Sequence, residues 1–92
     1  MLHVLYIDDE PDLRDICKEY LEESGEFAVD TAASARRGLE KVATTKYDVI
    51  ICDYEMPGMD GLALLKDLRS GGNALPFILF TGRGREEVVI EA

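Results

Sequence analysis

The chain has 92 residues, 47% of them hydrophobic and 32% charged, which are the proportions of a single ordinary globular domain at the small end of what buries its own core. Nineteen acidic residues against ten basic ones give a net charge of −9, so direct nucleic-acid binding is not expected, because phosphate contacts need clustered Lys and Arg. No apolar stretch approaches the roughly 20 residues of a membrane span, and residues 2–7 read as a strand rather than a secretory leader, so no membrane role and a cytoplasmic location are expected.

In chain order, Leu2-His3-Val4-Leu5-Tyr6-Ile7 is a buried strand that runs into Asp8-Asp9. Pro11 suits a first helical position, where its fixed φ and missing N–H cost nothing. Leu13, Ile16, Cys17, Tyr20 and Leu21 follow at helical spacing, and Ser24-Gly25 stops that helix. Residues 27–31 form a shorter strand with no chemical ending. Ser34 is a good N-cap for a second helix carrying Ala35, Leu39, Val42 and Ala43. Residues 47–52, nearly continuous in apolar character, suit a central strand covered on both faces, and they run into Asp53. Met56-Pro57-Gly58-Met59-Asp60-Gly61 is a turn, with the methionines read as loop packing. Leu62, Leu65 and Leu68 face inward from a third helix. Pro76 opens a fourth strand, Phe77–Thr81, and Arg85–Glu91 begin a fourth helical pattern. Gly82-Arg83-Gly84-Arg85, the one local basic cluster, reads as a solvated loop leading into it.

Strand and helix signals alternate, which implies a parallel sheet with right-handed crossovers and helices on both faces. Ligands in such sheets bind beyond the carboxyl ends of the strands. Asp8, Asp9, Asp53 and Thr81 all fall there. Three converging carboxylates repel one another, and they fit a divalent cation or a chemical task. Mg²⁺ takes one or two carboxylates together with waters and phosphate oxygens. Asp53 stands alone at the end of the central strand and suits a nucleophile that accepts a phosphoryl group as an aspartyl phosphate. Asp8 and Asp9 suit metal binding, one directly and one through water. The irregular loop after Asp53 can turn a backbone carbonyl inward, most readily that of Glu55. The Thr81 hydroxyl is a hydrogen-bond donor for a transferring group, or an ordinary cap or turn residue. Glu10 reads as a first-turn charge favoured by the helix dipole. Cys17 and Cys52 read as small buried residues in a reducing compartment, since no C-x-x-C spacing is present.

Tyr6-Ile7-Asp8-Asp9-Glu10-Pro11, the stretch from Asp48 to Gly61 with its D-x-x-M-P-x-x-D-G pattern, and Phe77-Ile78-Leu79-Phe80-Thr81-Gly82 resemble the receiver domain of two-component response regulators, in order and in spacing over the whole chain. The resemblance implies a flavodoxin-like doubly wound sheet. It implies phosphorylation of Asp53 by a histidine kinase or phosphotransfer protein. It also implies Mg²⁺ held by Asp9, Asp53 and the Glu55 carbonyl with Asp8 assisting, and Thr81 as the phosphoryl hydrogen bond and switch. In the family a fifth strand ending in a lysine and a fifth helix follow. Residues 1–92 are therefore expected to form a receiver domain shortened at its C-terminus, with strand order 2-1-3-4 and neither of those elements. Neither Lys46 nor Lys66 sits at a strand end where it could replace that lysine. An open fourth-strand edge would then invite self-association.

Three functions follow from different classes: a phosphorylatable switch, a receiver-like interaction module that takes no phosphate because the lysine is missing, and a metal-dependent phosphohydrolase. The last would need a positioned acid or base, and the residue two after Asp53 is Glu55 rather than a second aspartate.

Overall fold

The structure is a computed structural model that describes residues 1–81 and 87–91, with side chains described for residues 1–80. Its elements are β1 (Leu2–Ile7), α1 (Pro11–Glu23), β2 (Phe27–Ala32), α2 (Ala35–Thr44), β3 (Val49–Asp53), α3 (Gly61–Ser70), β4 (Phe77–Thr81) and β5 (Glu87–Glu91). The sheet runs β2-β1-β3-β4-β5. The first four strands are parallel, in the expected flavodoxin-like order 2-1-3-4. Val4 pairs with both Val29 and Val49, and Asp53 with Phe80. The ends of β1 and β3 therefore lie side by side.

The local signals act as expected. Pro11 occupies the first turn of α1 and Ser34 Oγ accepts the Arg37 N–H at 3.2 Å; the cap of α3, where Asp60 Oδ1 accepts the Ala63 N–H at 2.8 Å, was not anticipated. Gly25, at φ +77°, makes the left-handed step that follows α1. One carboxylate ties α1 to β2: Glu22 Oε2 accepts the Val29 N–H at 3.0 Å and Lys18 Nζ at 3.1 Å.

Strand alternation divides the core. Leu5, Ile7, Ile50, Cys52, Phe77 and Leu79 pack with Leu64, Leu65 and Leu68 on the face that carries α2 and α3, and buried Met56 joins them. Val4, Tyr6 and Val29 pack on the other face with Cys17 and Leu21 of α1. The apolar stripe expected for α1 is wider than the face it buries: Leu13, Ile16 and Tyr20 are exposed, Tyr20 at 74%. The helix packs on β1 and β2, so only one flank of its stripe meets the sheet. Val49, Ile51 and Phe80, farther along that face, are only partly buried.

Two expectations are corrected at the C-terminal end. The segment 85–91 is not helical where described. Glu87–Glu91 form an antiparallel strand, with Phe77 paired to Glu91 and Thr81 to Glu87. The β-branched run Val88-Val89-Ile90 favours extended backbone, and the outer edge of β4 offers unpaired N–H and C=O groups that such a segment satisfies. The edge of β4 is consequently not open, which removes the premise for self-association through it. The Gly82–Arg85 cluster lies outside the described residues.

Candidate functional site

Because β1 and β3 are neighbours while the helices that follow them, α1 and α3, pack on opposite faces of the sheet, a crevice forms beyond their carboxyl ends. The two strands deliver Asp8, Asp9 and Asp53 into it. One carboxylate oxygen from each lies within 4.8 Å of the others. Asp8 and Asp53 are buried, at 0% and 4% exposure, and Asp9 is half-buried. Like charges so close and so poorly hydrated destabilise one another unless a cation or a proton intervenes. The donors are all hard oxygen atoms, which fit Mg²⁺ or Ca²⁺ and not a soft metal. Asp9 also lines an open pocket of about 320 Å³ together with Tyr54, Glu55, Met56, Pro57 and Asp60, so the cluster is reached from solvent.

Asp8 is held on every side. Its N–H donates to the Ala32 carbonyl at 3.1 Å. Its Oδ1 accepts the Glu10 N–H at 3.0 Å, and its Oδ2 accepts the Tyr6 hydroxyl at 2.8 Å. Arg14 Nη1 donates to its carbonyl oxygen at 2.9 Å. Asp53 Oδ1 accepts the Glu55 N–H at 3.3 Å. Tyr54 N–H donates to the Phe80 carbonyl at 2.8 Å, which anchors the loop after Asp53 to β4. Gly61 lets α3 come close to β3: a Cβ there would collide with the Asp53 carbonyl oxygen and with Leu79.

The negative field of the cluster is felt by its neighbours. Burial, then Asp53 and Asp8, push the Cys52 thiol well above its ordinary range. Burial, then the hydrogen bond and charge of Asp8, do the same to the Tyr6 phenol. Both groups stay protonated at neutral pH. Cys52 is buried and Cys17 half-buried, and both are free thiols.

The structure thus brings together Asp8, Asp9 and Asp53, with Glu55 at the pocket wall. Thr81 ends β4 one residue beyond Phe80, the partner of Asp53, and its side chain lies outside the described residues. Three contributors were missed in the sequence: Tyr6, Arg14 and Gly61. Tyr6 was read as one more residue of an apolar run. The signal available was its spacing, since residues two apart on a strand share a face.

A family model described as response regulator receiver domain matches residues 4–92. Among curated proteins, the chain is 39% identical over 89 residues to the C4-dicarboxylate transport transcriptional regulatory protein DctD of Rhizobium meliloti (strain 1021), covering 97% of this chain and 19% of that protein. It is 32% identical over 92 residues to the response regulator SaeR of Staphylococcus aureus (strain USA300), covering 100% and 40%. The chain therefore spans less than half the length of these relatives. Among solved structures, response regulator TrrA of Thermotoga maritima in complex with Mg(2+)-BeF superposes with a TM-score of 0.83 at 37% identity, over 91% of this chain and 72% of that one. TrrA in complex with the histidine kinase ThkA gives 0.81 at 36% identity, over 95% and 76%.

Proposed function

This chain belongs to the response regulator receiver domain family of two-component signalling, and from that premise we propose that residues 1–92 act as one phosphoacceptor unit with Asp53 as the acceptor. The observation that carries the proposal is the convergence of Asp8, Asp9 and Asp53 within 4.8 Å at the switch point of the sheet. Its relative TrrA is seen both with Mg(2+)-BeF and with a histidine kinase, which supports Mg²⁺ as the cation and a histidine kinase or phosphotransfer protein as the donor.

Asp53, Asp9 and the Glu55 carbonyl are the proposed Mg²⁺ ligands, with Asp8 assisting. Mg²⁺ bound there would supply positive charge that offsets the charge spread over the transferring phosphoryl group. An Asp53 carboxylate oxygen attacks the phosphorus of a phosphohistidine. The P–N bond breaks as the P–O bond forms, and the imidazole leaves with the electron pair. The Glu55 N–H at Asp53 Oδ1 orients the carboxylate for this attack. Thr81, at the end of the neighbouring strand, donates its hydroxyl to a phosphoryl oxygen and responds to its arrival. The chain catalyses only its own phosphorylation and dephosphorylation and has no separate substrate.

Incubation with Mg²⁺ and acetyl phosphate tests the proposal. An adduct that is acid-stable and alkali-labile should form, and Asp53→Ala should abolish it. Mg²⁺ binding without any adduct would indicate an interaction module instead, and repeated turnover on varied phosphoesters would indicate a hydrolase.

A further inference from the structure

We propose that Tyr6 is a positioning residue for the cation site: its hydroxyl holds Asp8 in its metal-facing orientation, and its ring links Asp8 to the end of β4. The inference rests on the Mg²⁺ reading above and concerns a residue that reading leaves unused.

Tyr6 and Asp8 are two residues apart at the end of β1 and so project from the same side of the chain. The phenol hydroxyl donates to Asp8 Oδ2 at 2.8 Å, a buried contact. The Glu10 N–H takes the other oxygen at 3.0 Å. One donor per oxygen fixes the plane of the carboxylate while leaving each oxygen a further lone pair. Asp8 can therefore accept from a cation or its water without turning. A donor of this kind, standing behind a metal-site carboxylate, sets how well that ligand is presented.

The ring has a second contact. It stacks on Phe80 with centroids 5.9 Å apart and planes within 5°. Phe80 pairs with Asp53 and directly precedes Thr81. Tyr6 thus reaches from β1 across β3 to β4, touching the metal-site carboxylate at its hydroxyl and the neighbour of the phosphate-sensing residue at its ring. If packing were all that position 6 required, a phenylalanine would serve. A buried hydroxyl costs free energy unless it is bonded, and this one is bonded to the site.

Titration calorimetry with Mg²⁺ alone, on wild type, Tyr6→Phe and Phe80→Leu, tests this without any phosphodonor. Tyr6→Phe keeps the ring and removes the donor. It should weaken Mg²⁺ binding about tenfold, the low end of what loss of an outer partner costs a metal site. Phe80→Leu keeps the hydroxyl and removes the stack, and should weaken binding about two- to threefold, in line with the modest worth of an aromatic pair. A Tyr6→Phe protein that melts earlier but binds Mg²⁺ as wild type does would overturn the proposal, since that is what a purely structural hydroxyl predicts. Wild type that binds no Mg²⁺ would overturn the functional reading, and this inference with it. Unchanged Mg²⁺ binding in Phe80→Leu, with the Tyr6→Phe loss present, would overturn the part assigned to the ring.

Discussion

Asp53, the proposed acceptor, is distinguished by position more than by composition. It ends the central strand, it is 4% exposed, and two other carboxylates stand within 4.8 Å. Asp30, a carboxylate with the buried Tyr47 as partner, has a structural task instead. The Tyr47 hydroxyl donates to its Oδ2 at 2.7 Å, and His3 Nε2 lies 3.2 Å from the same oxygen. The Tyr47 bond, aided by the charges of His3 and Lys41, holds the Asp30 carboxyl below the usual range, while burial and Asp30 push the Tyr47 phenol up to about 12. A carboxylate whose folded pKa is depressed stabilises the fold above its unfolded pKa, and that contribution is lost as pH falls through the folded value. Tyr47→Phe should therefore cost about 1 kcal/mol near neutral pH, the ordinary worth of one hydrogen bond. The gap to wild type should shrink as the pH is taken below about 4, the unfolded carboxylate range. Urea denaturation at pH 7 and pH 3 measures both. A gap of the same size at the two pH values would show that the bond does not depend on the ionised carboxylate.

Among the elements, the turn from β3 into α3 shapes the site through two residues that the sequence showed only as parts of a turn. Asp60 caps the helix, and Gly61 lets it approach the Asp53 carbonyl. Gly61→Ala should destabilise the fold by about 1–3 kcal/mol, as overpacking does, because the obstacle is backbone and cannot rotate away. The same variant should lower the yield of the acetyl phosphate adduct at saturating Mg²⁺. Thermal melting with adduct yield checks it, and wild-type values of both would show that α3 tolerates the extra carbon. The strand-end carboxylates and the Ser34 cap were legible because each is a local signal with a fixed offset. Tyr6 was not, because a tyrosine in an apolar run looks like packing until its hydroxyl is seen against Asp8. The exposed flank of α1 was not legible either, since spacing shows that a helix is amphipathic and not how much of its stripe the sheet will meet.

At the scale of the whole molecule, strand order decides where chemistry can happen. Alternation of strands and helices predicted the parallel sheet, and the order β2-β1-β3-β4 puts the reversal between β1 and β3, where the carboxylates sit. The segment 85–91 was misread because its pattern fits a helix as well as an extended run, and short segments are settled by what lies beside them. Here the edge of β4 lies beside it and takes Glu87–Glu91 as a strand. The central proposal is that the three-carboxylate crevice serves phosphoryl transfer to Asp53. The most direct measurement is to treat the protein with acetyl phosphate with and without Mg²⁺, reduce the product with borohydride, and locate the modified residue by peptide mass spectrometry. A reduced acyl phosphate, read as homoserine at position 53, is expected only when Mg²⁺ is present. Modification at Asp8, Asp9 or Asp60 instead, or none in a folded protein that binds Mg²⁺, would contradict it.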